Sequence, residues 1–330
     1  MPAAVFIPGG VVPAVVHWYA GGSVQIGASA YQGVPTSFFP GQIDDVRLYD
    51  RPVSAGEVRE LYKTRPLVKG RWKLDSASGS PLTSPDDLPT AADRHPLTLG
   101  GNAAVDVSGN STYVGTGGGL LLDGNGDYAA TATSPMHTNT GFTVAAWVTT
   151  AARPQQPVTV LSQAGVNNNG FVVRYVPDPP PAGETDSISG HWQLVMSDAD
   201  STTATSVSAE HTNFQNNTSW NHLAVVYDAF NDQMSLYVDG LRRQTLCADD
   251  DDDGTPNVPT CTEKVSWNSN VTSFDATKGL QLGRVKTGSS TWGEYWPGAI
   301  DDVWVMEGVA TDAQIDALAN GAELATNPGP

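Results

Sequence analysis

Two aspartates stand side by side in Ile300-Asp301-Asp302-Val303, and the same four residues occur earlier as Ile43-Asp44-Asp45-Val46. In an extended strand adjacent side chains point to opposite faces. One carboxylate of each pair can then be solvated, while the other has to be paired, protonated or metal-bound. A second acidic group, Asp249, Asp251 and Asp253 followed by Gly254, has the opening D-x-D-x-D-G spacing of a calcium loop. Thr260 occupies the position where such a loop carries its bidentate glutamate, so a solvated loop tip is the competing reading. Cys247 and Cys261 bracket this loop and are the only cysteines of the chain. The spacing suits a local disulfide, which stabilises by about 3 kcal/mol on the chain-entropy account and implies an oxidising compartment; two free thiols are the alternative.

Retaining glycoside hydrolysis needs two carboxyl groups roughly 5 Å apart. The nearest approach to such a pair is Glu184-Thr185-Asp186, which sits in a proline-rich segment and lacks a third acid. No expected strand carries two glutamates at i and i+2 or i+4, and nucleophile elbows, zinc spacings and phosphate loops are absent. The sequence therefore points away from an enzyme. Binding is better provided for. Thr291-Trp292-Gly293-Glu294-Tyr295-Trp296 clusters three aromatic rings, and Trp and Tyr faces stack on sugar rings while a few polar groups fix orientation. Trp296 recurs as Phe39 and reads as a core plug, which leaves Trp292 and Tyr295 as the candidate ligand-binding pair.

Short strands must position these groups. Phe142–Val148, Trp220–Asp228 and Met234–Leu241 are rich in β-branched and aromatic residues, and Asp239-Gly240 is a two-residue turn signal. Further runs lie at 120–123, 158–161, 170–175, 191–196 and 279–283. In the second of the long runs, Trp220, His222, Ala224 and Val226 share one face, which makes His222 a structural histidine rather than a catalyst. Helix is confined to 54–62 and 311–318, each opened by a hydroxyl and a Glu or Gln three residues on, the capping-box spacing. Such a chain reads as an antiparallel sandwich. Residues 176–190 form a stiff proline-rich loop.

Of 330 residues, 39% are apolar and 16% charged, and only 8 of the 35 acidic residues are Glu. The aspartate bias favours turns and loops over helices. A net charge of −18 argues against nucleic acid and anionic lipid as partners, and no run is long enough to span a membrane. Residues 1–10 lack the basic start of a signal peptide, so the expectation is a fragment, or a mis-started reading, of a longer secreted protein.

The repeat extends beyond the paired aspartates. Pro40 to Tyr49 returns 257 residues later as Pro297 to Met306; Gln25-Ile26-Gly27 answers Gln281-Leu282-Gly283; Ser54, Glu57, Val58 and Leu61 answer Thr311, Gln314, Ile315 and Leu318. A repeat of this length is two copies of a domain's closing strands rather than a solenoid unit. The expected organisation is a partial domain over 1–62, a linker over 63–69, a complete domain over 70–322 and a tail over 323–330.

Trp72-Lys73-Leu74-Asp75, Leu122 to Tyr128, Phe142 to Val148, Trp220 to Asp228, Leu236 to Gly240 and Gly298 to Val303 occur in the order and spacing of a known family. Here the chain resembles the laminin-G-like, concanavalin A-like jelly-roll domains of secreted bacterial proteins. The resemblance implies an all-β, antiparallel two-sheet sandwich. It also implies a structural calcium held by an aspartate of the last strand, which Asp301 matches, with Asp123 and Asp127 as the next candidates. The expected function is a non-catalytic recognition module of a larger extracellular or cell-surface protein, binding a glycan or a surface protein and linked to other domains of the same polypeptide. A spacer of a repeat adhesin with no ligand of its own is the alternative, and a divergent polysaccharide-active enzyme is a third reading.

Overall fold

The computed structural model describes residues 23–41, 43, 46, 48–49, 51–54, 58, 66–108, 117–212, 219–245 and 264–324. Cys247, Cys261, Asp249, Asp251 and Asp253 lie outside these residues, as do Asp44, Asp45 and most of the helix expected over 54–62. The chain divides into two compact units, residues 1–53 and 54–330. In the first, β1 (Ser29–Tyr31) and β2 (Val34–Thr36) form an antiparallel hairpin.

In the second unit the strands run in chain order as β3 (Leu67–Trp72), β4 (Thr83–Ser84), β5 (Leu97–Gly100), β6 (Ala104–Asp106), β7 (Gly119–Leu121), β8 (Tyr128–Thr131), β9 (Phe142–Thr150) and β10 (Val158–Ala164). They continue as β11 (Asn169–Pro177), β12 (Gly190–Ser197), β13 (Ser206–His211), β14 (Asn221–Asp228), β15 (Gln233–Val238), β16 (Gln244–Thr245), β17 (Lys264–Val265) and β18 (Trp267–Ser269). The closing segment is β19 (Leu280–Leu282), β20 (Val285–Lys286), β21 (Trp292–Gly293), β22 (Gly298–Glu307) and the helix α1 (Asp312–Ala319). Two eight-stranded antiparallel sheets result. One has the order β13-β12-β11-β10-β19-β8-β5-β4; the other has the order β18-β15-β14-β9-β22-β7-β6, with β3 also paired to β22. Neighbours far apart in sequence pair in both sheets, as a jelly-roll sandwich requires. β3 takes in Leu67, Val68 and Lys69 of the expected linker.

Alternation along the strands builds the core. Phe142, Val144, Ala146 and Val148 of β9, and Leu223, Val225 and Tyr227 of β14, join Leu161, Val173, Trp192 and Leu282 of the opposite sheet in one buried cluster. The outward set, Ala145, Ala224, Val226, Trp304 and Met306, forms a second cluster with Ile315 and Leu318 of α1. The helix starts as its sequence signature predicts: Thr311 Oγ1 accepts from Gln314 N (3.3 Å) and Gln314 Oε1 accepts from Thr311 N (2.9 Å). Asp239 and Gly240, with φ of 52° and 80°, make the expected tight turn, closed by two backbone hydrogen bonds between Val238 and Leu241. Trp296 fills the core against Trp192, with ring centroids 5.8 Å apart.

The paired aspartates depart from strict alternation. Along β22, Asp301 faces Trp147 of β9 but Trp304 faces Ala145, so one extra residue is inserted. Asp302 adopts φ 54°, and the resulting β-bulge brings both Ile300 and Val303 into the inner core. Neither carboxylate is solvated: Asp301 is 0% exposed and Asp302 5%. The bulge lies where β22 changes its second neighbour from β7, at Ala299 and Ile300, to β3, at Val303 to Glu307.

Candidate functional site

The aromatic segment singled out in the sequence leaves the sandwich as a short hairpin. Gly283 (φ 81°) ends β19; a Cβ there would meet Leu122 Cδ1 at 2.3 Å, so the chain can turn only with glycine. β20 and β21 then pair through Val285 with Gly293 and Lys286 with Trp292. Three contacts anchor the hairpin. Val285 is buried, Trp296 N donates to Gly283 O (3.0 Å), and Glu294 joins Arg174 Nη1 (2.9 Å) to Thr159 Oγ1 (2.8 Å).

Beside the hairpin lies an open cleft of about 390 Å³, whose polar and aromatic lining includes Tyr128, Gln281, Arg284, Lys286, Ser289 and Trp292. Arg284 is its centre. The guanidinium carbon stands 3.2 Å from the Tyr128 ring centroid and 4.1 Å from that of Trp292, a cation held between two aromatic rings. Nε donates to Gln281 Oε1 (2.8 Å), and the Arg284 carbonyl accepts from Ser162 Oγ (2.8 Å). Burial draws the Arg284 pKa below its ordinary value, with the phenols of Tyr128 and Tyr295 acting in the other direction; the group stays charged. Lys286 Nζ donates to the carbonyls of Gly165 (3.4 Å) and Val166.

Of the two expected ligand-binding aromatics, Trp292 lines this cleft, whereas Tyr295 acts on Arg284 and is not part of the lining. Tyr128, Gln281, Arg284 and Lys286 were missed by sequence reasoning. One signal could have found them. Where the complete copy reads Gln281-Leu282-Gly283-Arg284-Val285-Lys286, the partial copy reads Gln25-Ile26-Gly27-Ala28-Ser29-Ala30, so the two cations are an addition to a shared scaffold.

The candidate calcium ligands have protein partners. Asp302 forms an ion pair with Arg71, a residue whose side chain is 3% exposed, and also accepts from Trp304 Nε1 (3.1 Å). Arg71 lies 4.2 Å from the Trp304 ring centroid. Burial raises the Asp302 carboxyl above its usual range despite the opposing pull of Arg71 and Trp304. Asp301 Oδ1 accepts from Asp302 N (2.8 Å). Asp127 accepts from Asn102 N (2.5 Å) and Asp123 N (3.2 Å), and Asp123 accepts from Asn125 N (2.7 Å), so both tie down the turn before β8. Among the described residues no three His, Cys, Asp or Glu side chains group as a metal site. Arg71 supplies positive charge to Asp302, and calcium at Asp301, Asp123 or Asp127 stays a proposal.

His222 is structural as expected. It is 1% exposed, its ring lies 5.1 Å from that of Trp147, and burial lowers its pKa to about 3, so it is neutral near pH 7. Glu184 and Asp186 are exposed in the proline-rich loop, whose base is closed by Asp178 N donating to Ser189 O (3.1 Å).

Residues 123–260 match a laminin G family model described as the concanavalin A-like lectin/glucanases superfamily. The fold is a concanavalin A-like jelly-roll sandwich, and this stretch of the chain is similar to the laminin G family. Similar solved structures include domain 4 of the extracellular arabinanase of Geobacillus stearothermophilus in complex with arabinotriose, at 16% identity, covering 77% of this chain and 98% of that one, with a TM-score of 0.44. The carbohydrate-binding module of the Ruminococcus gnavus IT-sialidase bound to sialyllactose matches at 12% identity over 55% of this chain and 83% of that one, TM-score 0.37. A pentraxin from Limulus polyphemus matches at 14% identity over 58% and 72%, TM-score 0.37. No curated protein matches. Among the described residues, no helix is long and apolar enough to cross a membrane.

Proposed function

We propose that residues 70–322 are a non-catalytic carbohydrate-recognition module of a longer extracellular or cell-surface polypeptide, and that the cleft beside the β20–β21 hairpin receives the sugar. The observation that carries this reading is the composition of the cleft: the Trp292 and Tyr128 rings stand beside the donors and acceptors of Gln281, Ser289, Thr98 and Thr131. Saccharides need both an apolar ring face and sparse, oriented polar partners. The hairpin presents Trp292 and Ser289 from a rigid base, because Glu294 and Trp296 fasten its end to the sandwich, and the sheet supplies Tyr128, Gln281, Thr98 and Thr131. A catalytic reading has little support: Glu294, the acid beside Trp292, is already committed to Arg174 and Thr159.

Glycan-array binding by the wild type and by Trp292→Ala tests the proposal. Binding that falls about tenfold or more in the variant, the loss of one stacking contact of roughly 1.4 kcal/mol, is the expected result. Absence of binding by either protein would favour the spacer reading, and reducing-sugar release from polysaccharide would restore the enzyme.

A further inference from the structure

The cleft is lined by Lys278, Arg284 and Lys286 and by no carboxylate, in a chain whose 35 acidic residues outnumber its 17 lysines and arginines. The acids around it are committed elsewhere. Glu294 pairs with Arg174. Asp200, within electrostatic reach of Lys286, accepts from the backbone amides of Val166 (2.7 Å), Asn167 (2.6 Å) and Asn168 (2.9 Å), which holds its carboxyl below the usual range although burial opposes this.

We propose that this cleft takes an acidic saccharide, a pyranose bearing a carboxylate or a sulfate, with the anion among Arg284, Lys286 and Lys278 and the sugar ring against Trp292. The proposal rests on the carbohydrate reading above and names its ligand class. Like charges gathered in a half-buried cleft repel one another, and an anion relieves that cost, whereas a neutral glycan leaves it in place. Arg284 is suited to the role. Tyr128, Trp292 and Gln281 fix the plane of its guanidinium before a ligand arrives, and a preorganised fork recognises planar oxyanions with little loss of side-chain freedom. The net charge of −18 opposes acidic polysaccharide at long range, but that field is screened beyond about 8 Å at physiological ionic strength. Recognition then depends on the local cluster.

The test is an array in which each acidic glycan stands beside its neutral counterpart: uronate beside methyl ester, sulfated beside desulfated, sialylated beside asialo. Wild type, Arg284→Gln and the exposed-site variant Lys278→Gln are compared, with melting midpoints recorded to confirm folding. Hits confined to acidic members, weakened about tenfold or more in Arg284→Gln and less in Lys278→Gln, are expected for loss of charge-assisted contacts; the pairs that respond distinguish carboxylate from sulfate. Equal binding of neutral and acidic partners, or acidic hits unchanged in both variants, would overturn the acidic ligand and leave the carbohydrate reading intact. No hit at all would overturn both.

Discussion

Gly27 and Gly283 open the two copies of the closing motif with φ of 75° and 81°, and the same hydrogen bond follows in each. Phe39 N donates to Gly27 O at 2.8 Å, and Trp296 N donates to Gly283 O at 3.0 Å. A hairpin lies between them both times, and Ser37 and Glu294 take the left-handed conformation at matching positions, with φ of 53° and 51°. Beyond this point the copies part. Ile300, Val303 and Val305 are 0% exposed in β22, whereas their counterparts Ile43, Val46 and Leu48 are 48%, 49% and 72% exposed. The hairpin depends on glycines and turn positions carried within the segment. Burial of the closing strand depends on β9, β7 and β3, which the complete copy alone supplies within its own domain. Matching apolar residues are thus buried in one copy and exposed in the other.

Removing what only the complete copy possesses has the largest expected effect. Arg71→Ala leaves the buried Asp302 without its ion-pair partner, and breaking such a pair costs about 3–5 kcal/mol. Denaturant unfolding should show a loss of this size; a midpoint equal to wild type would show that the aspartates are neutralised in another way.

Next comes the matched pair Ile300→Ala and Ile43→Ala. Truncation at the fully buried Ile300 should cost about 2–5 kcal/mol, and the same change at the half-exposed Ile43 should stay within about 0.5 kcal/mol. Equal losses in the two variants would mean that the copies are stabilised alike.

The smallest expected effect belongs to calcium. Calcium held by Asp301 is a proposal, and it predicts a higher melting midpoint in millimolar calcium than in EDTA. A metal at a hundredfold excess over its Kd would add about 2.7 kcal/mol, a rise of a few degrees. Such a rise, if lost in Asp301→Ala, would support calcium at the last strand, and equal midpoints would overturn it. If it survived in that variant, it would point to Asp249, Asp251 and Asp253.

Much of this molecule was legible from residues alone because the determinants were local. Alternation along Phe142–Val148 and Asn221–Asp228, the Asp239-Gly240 turn and the Thr311–Gln314 capping box each act within a few residues. Trp296 could be assigned to the core because its aromatic character recurs in the partial copy as Phe39. Three things were decided only by the tertiary structure. The bulge at Asp302 arises where one strand exchanges neighbours, so a period of two cannot reveal it. Arg71 meets Asp302 across more than two hundred residues of chain, a pairing set by the adjacency of β3 and β22. The Arg284 cleft joins Tyr128 of β8, Gln281 of β19 and Trp292 of the hairpin; each is unremarkable in its own segment, and only sheet pairing brings them within van der Waals and hydrogen-bond reach.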